Sequence, residues 1–396
     1  MLVKCNRPFV IGYFMKIASA KKRIHAKGMF SSCVLVLLVV GCAQNLEGKF
    51  DSLTIIEGYK NIILMIGDGM GENHIKVTEA YNQKETAITD KAIIKGYMST
   101  ASSSSSITDS AASATAMSTG QKVPNKAIAY KNGTKLTTMS EFAKAYQKGV
   151  GIIATETVTG ATPAAFSSHN RQRSNTDEIA LEQFQSDIDL FIGAGKSYFD
   201  QQVGLMSQNQ LSYYSDFFTF QDDLDSASIS HSNFASRFLA AFDTISTTIT
   251  TPQSPTLSDI VGVSLNYLSS RYEKEGFFAL IEGSHIDKRA HEGDIFGMIE
   301  QLNGFDRAVG EAVDWAREHG DTFVMVTADH ETGGLKYDGE VKSEINDGMF
   351  SSGGHTSVNV PFYLYNNDNL SFISADDVID NTDVAKLLRA MIRAQK

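Results

Sequence analysis

Beyond position 42 the sequence contains no cysteine: Cys5, Cys33 and Cys42 are all it has in 396 residues. Whatever folds downstream has no disulfide available and must be held by core packing, with bound metals as a second device. The apolar stretch Cys33 to Val40 is well short of the ~20 residues a spanning helix needs. No internal repeat is present and no low-complexity tract, although Ser102 to Ser106 is an unbroken serine run. A basic stripe is missing too, since 35 Lys/Arg face 46 Asp/Glu for a formal charge of −11. Such a surface repels polyanions, which excludes nucleic acid as a partner. A chain of this length and ordinary composition can bury a full core, and one large α/β domain is the starting expectation.

Acidic residues are themselves absent from positions 1–41, which hold seven basic ones: Lys4, Arg7, Lys16, Lys21, Lys22, Arg23 and Lys27. Without that segment 28 basic residues face 46 acidic ones, a charge of −18. A basic region through Lys27, the apolar stretch and then Gly41-Cys42 form the pattern of a signal peptide. Val39-Val40-Gly41-Cys42 resembles a bacterial lipobox, in which cleavage precedes the cysteine and the cysteine is acylated. The expectation is an exported lipoprotein of the cell envelope, periplasmic or at the cell surface, with a membrane lipid anchor at Cys42. The alternative is an uncleaved anchor with an incidental Cys42; Met15 or Met29 offers a later start. Residues 42–57 then form a polar tether and 58–396 the folded domain.

Within that domain, strands alternate with helices. Asn61 to Ile66 is a continuous apolar run suited to a buried parallel strand, and it ends in Gly67-Asp68-Gly69-Met70-Gly71, which sets Asp68 at a strand exit. Open α/β sheets place their ligands there. Thr138 and Glu141 make a capping box for a helix from Met139 to Lys148, and Val150 to Ala154 is the next strand. Pro163 suits the first turn of a helix. A helix over Thr176 to Gln185 and a strand at Leu190 to Ile192 follow; residues 200–256, rich in Ser, Thr, Asp and Gln, are expected to be an insertion or cap. Further on come a helix from Leu257 to Tyr272, a strand Phe277 to Ile281, a long helix from Asp294 to Glu318, strands Thr322 to Thr327 and Val360 to Tyr365, and a last helix capped by Asn381 or Thr382.

One run dominates this frame: Ile107-Thr108-Asp109-Ser110-Ala111-Ala112-Ser113-Ala114-Thr115-Ala116. A serine nucleophile that meets a bulky phosphate needs small neighbours and a helix N-terminus beneath it, and this run offers both. Alone it is more often a small-residue helix packed on a neighbour. Asp287 and His291, four apart, share a face of a helical turn; such a pair is commonly a surface contact, but here it has company. Asp329-His330 at a strand exit, His355 in a glycine-flanked loop and Asp68 add ligands of the type zinc accepts.

These residues sit in blocks that resemble the alkaline phosphatases: IGDGMG around Asp68, TDSAASATAMSTG around Ser110, ATPAA around Thr162, Arg173 four after His169, EGSHIDKRAH with Glu282, Asp287 and His291, TADHETGG with Asp329 and His330, and GGHT with His355. The resemblance implies a three-layer α/β sandwich with a central, mostly parallel sheet flanked by helices. It also implies two zinc ions and one magnesium. Asp287, His291 and His355 would hold the first zinc, Asp68, Asp329 and His330 the second, and Asp68, Thr162 and Glu282 the magnesium. Ser110 would be the nucleophile of a phosphomonoesterase that forms a phosphoseryl intermediate, Arg173 would clamp phosphate oxygens, and Lys288 would assist from the phosphate's side. His285, His169 and Arg171 match no ligand position. A homodimer is common among such relatives.

Two positions depart from the best-known bacterial form. Gly160 replaces an aspartate near the magnesium, so Lys288 is expected to lack a carboxylate partner, and Thr332 stands where some members have histidine. The competing readings are a phosphodiesterase or sulfatase-like hydrolase of the same superfamily, and a lipid-anchored phosphate-binding protein without turnover. The sulfatase pattern of Cys or Ser followed by proline and arginine is not what surrounds Ser110.

Overall fold

The computed structural model describes residues 59–208, 218–221, 237–248, 254–339, 341–365 and 378–395. The expected signal peptide, Cys42 and the tether lie outside these residues. Ten strands form one sheet: β1 Asn61–Gly67, β2 Ile94–Ser99, β3 Gly149–Ala154, β4 Leu190–Gly193, β5 Phe218–Gln221, β6 Arg237–Ala241, β7 Phe277–Gly283, β8 Thr322–Thr327, β9 Val360–Tyr365 and β10 Val378–Asp380. Their spatial order is β10-β2-β9-β8-β1-β7-β3-β4-β6-β5. Every neighbouring pair is parallel except the two made by β9, which runs against the rest.

The central strands are apolar because both their faces are covered: all residues of β1, β3, β7 and β8 are buried. One set of helices, α1 Glu72–Asn82, α6 Leu257–Arg271, α7 His285–Glu292 and α8 Ile295–His319, packs together. A second set comprises α2 Ser110–Thr119, α3 Met139–Ala145, α4 Ala161–Ser167, α5 Thr176–Gln185 and α9 Asn381–Ala394. The result is the three-layer α/β sandwich with a mostly parallel sheet that the sequence led us to expect. Parts of the 200–256 segment continue the sheet at one edge as β5 and β6.

Helix boundaries follow local capping chemistry. Thr138 and Glu141 form their capping box, and α3 ends at Ala145, before Lys148, where Tyr146 caps it. The cap of α9 is Asp380, rather than Asn381 or Thr382, because its carboxylate accepts from Thr382 N while the Asp383 side chain accepts from Asp380 N. Among the described residues no helix is long and apolar enough to cross a membrane.

Candidate active site

Strand order concentrates the chemistry. The exits of β8, β1, β7 and β3 are adjacent, with Ile66 beside Thr327, Gly67 beside Gly283 and Ala154 beside Glu282. Asp329 and His330, Asp68, and Glu282 therefore leave neighbouring strands on one edge, the edge where parallel sheets bind ligands. Since β9 runs the other way, the loop that enters it, with His355, reaches this same edge.

Ser110 is the first residue of α2, at the helix's positive end. Asp109 caps that helix by accepting from Ala112 N at 3.0 Å, and Gly120, at φ 73°, ends it. All ten residues of α2 are buried, and their small side chains let it lie close against α4 and α9. Ser113 locks the helix to the β8 exit by donating from Oγ to Asp329 O at 2.7 Å.

Two groups of side chains converge in front of Ser110. In the first, Asp287 Oδ1 is 3.4 Å from His291 Nε2 and 3.7 Å from His355 Nε2, and the two Nε2 atoms are 3.1 Å apart. Each ring has its Nδ1 on a backbone carbonyl, His291 on Gly353 at 2.7 Å and His355 on Thr108 at 2.9 Å. A carbonyl only accepts, so both Nδ1 atoms carry the hydrogen and both Nε2 atoms present bare lone pairs to each other. In the second group His330 Nε2 is 3.2 Å from Asp329 Oδ2, 3.6 Å from Asp68 Oδ1 and 3.3 Å from Ser110 Oγ. Asp329 Oδ1 is occupied by the N–H groups of Gly69 and His330, whereas Asp329 Oδ2 and Asp68 Oδ1 are buried without a hydrogen bond. Gly69 has φ 72°, and a Cβ there would lie 2.8 Å from Asp287 Cα. Only glycine allows the two groups to stand this close.

Burial of uncompensated charge shows in the acidities. Burial, then the charges of Asp329, Asp287 and Glu282, pushes the Asp68 carboxyl well above its ordinary range. Asp329 is likewise raised by burial, and Glu282 is pushed up to about 8, chiefly by burial. Burial lowers His330 to about 3, with the neighbouring His355 adding to the effect. Thr162, in the first turn of α4, is also buried, and its Oγ1 has no hydrogen-bond partner. Glu282 Oε2 accepts from Ser284 Oγ at 2.6 Å.

The alkaline phosphatase family model matches residues 59–391. The chain belongs to the alkaline phosphatase family. It is 32% identical over 355 residues to alkaline phosphatase 3 of Bacillus subtilis, covering 85% of this chain and 72% of the relative. Alkaline phosphatase 4 of the same organism is 35% identical over 296 residues, 70% of this chain and 62% of that protein. The solved alkaline phosphatase of the Antarctic bacterium TAB5 matches with a TM-score of 0.72 at 30% identity, over 86% of this chain and 99% of its own. The chain is accordingly a hydrolase of that family's kind.

Two family-derived expectations meet the structure differently. Arg173 stands beside the N-terminus of α2, with Nη1 3.3 Å from Asp109 Oδ2, and its positive charge is felt at both Asp68 and His330. Lys288, expected to lack a carboxylate partner because of Gly160, has one: Nζ is 2.5 Å from Glu156 Oε1. Glu156 follows the exit of β3 and so reaches across to the helix after β7, a pairing set by strand adjacency. Both residues line a cavity of about 440 Å³ together with Arg173, His285 and Asp243. His169 lies away from the ligand groups, between Glu182 at 2.8 Å and Leu136 O at 2.9 Å, and Arg171 contacts Tyr130.

Sequence reasoning missed Asp109 and Glu156 as participants. Asp109 had a readable signal, an Asp directly before an alanine-rich helical run, which is the N-cap pattern. Glu156 had none, because its partner is 132 residues away.

Proposed function

We propose that this chain hydrolyses phosphate monoesters through a phosphoseryl intermediate on Ser110. In this reading Asp287, His291 and His355 hold one zinc, Asp68, Asp329 and His330 a second, and Asp68, Thr162 and Glu282 a magnesium. One observation carries it: two groups of ligand atoms, spaced 3.1–3.7 Å, face Ser110 with bare imidazole nitrogens and unpaired carboxylate oxygens. Ligands at ~2.0–2.1 Å around a tetrahedral zinc stand about 3.4 Å apart. Without a cation the facing lone pairs and buried anions repel, and each unsatisfied buried group costs about 1–3 kcal/mol. The oxygen-only set of Asp68, Thr162 and Glu282 suits magnesium. A variant of the TAB5 enzyme has Mg bound in its M3 site, which supports a magnesium in the family.

When bound, the metals would supply Lewis acidity that lowers the pKa of the Ser110 hydroxyl and stabilises charge on the attacking and leaving oxygens. The chain's own residues do the rest. Ser110 Oγ forms a bond to phosphorus as the ester P–O bond breaks and the alcohol departs; water then displaces Ser110 and releases inorganic phosphate. A Ser–His general-base mechanism does not fit this reading, since the His330 Nε2 lone pair that faces Ser110 Oγ at 3.3 Å would be committed to the second zinc. With Nη1 on Asp109, the remaining donors of the Arg173 fork would engage two phosphate oxygens of a bound substrate. A monoester has three non-bridging oxygens, so two engaged by the fork would leave a third for the metal groups; a diester has only two, which favours monoesters.

Ser110→Ala should lower turnover of a chromogenic phosphate monoester at least about a hundredfold and abolish acid-stable labelling by a radiolabelled substrate. Near wild-type turnover in the variant, or a wild type that prefers diesters, refutes the reading. We further propose export and lipid anchoring at Cys42: Cys42→Ala should shift the protein from the detergent to the aqueous phase, and a wild type already in the aqueous phase contradicts it.

A further inference from the structure

One hydroxyl reaches both ligand groups. Thr332 is fully buried; its Oγ1 donates to Asp287 Oδ1 at 2.5 Å and lies 3.2 Å from His330 Nδ1. A hydroxyl has a single hydrogen, and here the carboxylate takes it, so toward the imidazole Thr332 can only accept. His330 Nδ1 therefore carries its hydrogen, and Nε2, the atom that faces Asp68, Asp329 and Ser110, keeps its lone pair. The backbone repeats the link. Thr332 N donates to Gly69 O at 3.1 Å, next to Asp68, and Thr332 pairs with His355 in a two-stranded ladder. Glu331 pins that ladder, as its carboxylate accepts from Leu335 N at 3.0 Å and from the Thr356 hydroxyl.

We propose that Thr332 is a positioning residue that couples the two zinc groups, so that occupation of one orders the other. The inference rests on the metal assignment above. The hydroxyl sets the rotamer of Asp287 in one group and the tautomer of His330 in the other; no second side chain bridges the two in this way among the described residues. Removing it takes a donor from the half-buried Asp287 Oδ1, leaves the buried His330 Nδ1 short of a partner and frees the imidazole to adopt the other tautomer, with hydrogen on Nε2. Both groups would lose pre-organisation from a single substitution that replaces no proposed ligand. If Thr332 only fills space, valine, its near isostere, does the same work.

The test uses the full chain, stripped with a chelator and titrated with Zn²⁺ alone against a chromophoric competitor, without substrate. Wild type should take two zinc ions, the second at least as tightly as the first. In Thr332→Val both affinities should fall about tenfold or more and the cooperativity should vanish, while Thr332→Ser, which keeps the hydroxyl, stays within about threefold of wild type. A valine variant that binds both ions like wild type, or that weakens one group only, overturns the coupling. A wild type that binds no zinc at these groups overturns the metal assignment and the coupling with it. Circular dichroism checks the fold of the valine variant, and Thr332→Ala, read by the same criteria, replaces it if it does not fold.

Discussion

Asp109 performs two tasks with its two oxygens, and substitution can separate them. Oδ1 accepts from Ala112 N and Lys126 N, both at 3.0 Å, while Oδ2 pairs with Arg173 Nη1 at 3.3 Å. Asp109→Ala removes the helix cap and one further backbone hydrogen bond, together worth about 1.5–2 kcal/mol. For a domain of this size that is a drop of about 2–3 °C in Tm. Asp109→Asn retains a capping oxygen, so its Tm should stay within about 1 °C of wild type. Both variants leave Arg173 without its anionic partner. The pair is partly exposed, with side chains 38% and 16% accessible, so its worth is at most about 1 kcal/mol. A loss of that size, felt as a looser guanidinium fork, weakens inhibition by inorganic phosphate up to about fivefold. The assay is differential scanning calorimetry alongside the phosphate inhibition constant at one pH and saturating metal. Equal Tm losses in the two variants, or unchanged phosphate inhibition in both, refutes this division of labour.

Two further outcomes follow from the site's electrostatics. In chelated protein, Glu282, raised from 4.5 to about 8, destabilises the fold as pH climbs through that window, because the native state holds a proton the unfolded state has released. His330, lowered from 6.5 to about 3, acts in the opposite sense, its contribution being lost as pH falls from 6.5 toward 3. The Tm of chelated protein should therefore fall between pH 6.5 and 8, and saturating Zn²⁺ plus Mg²⁺ should flatten that decline; a metal-free Tm that rises across the interval contradicts the assignment. Glu156→Gln removes the charge opposite Lys288, whose side chain is 46% exposed, so Tm should change by no more than about 1 °C for a surface pair. The freed ammonium should tighten inhibition by phosphate and steepen its salt dependence. No change in either would show that Lys288 does not act on the bound phosphate.

The local pattern of residues determined much of this protein by itself. Continuous apolar runs reported strands buried on both faces, as at Asn61 to Ile66, and the Thr138–Glu141 box reported the start of a helix within one turn of the chain. The blocks around Asp68, Ser110, Asp287 and Asp329 were legible because each candidate site residue sits within a few residues of the strand or helix that carries it. What the local pattern could not contain was strand order and direction. Only the antiparallel course of β9 brings His355 to the edge where β1, β7 and β8 end. Only the adjacency of β3 and β7 gives Lys288 its partner in Glu156, which overturned the expectation drawn from Gly160. The bridge from Thr332 to Asp287 spans 45 residues and depends on a two-stranded ladder too short to leave any periodicity. Periodicity records how a segment meets its own solvent or core, whereas a hydrogen bond between distant segments is decided by how the whole sheet assembles.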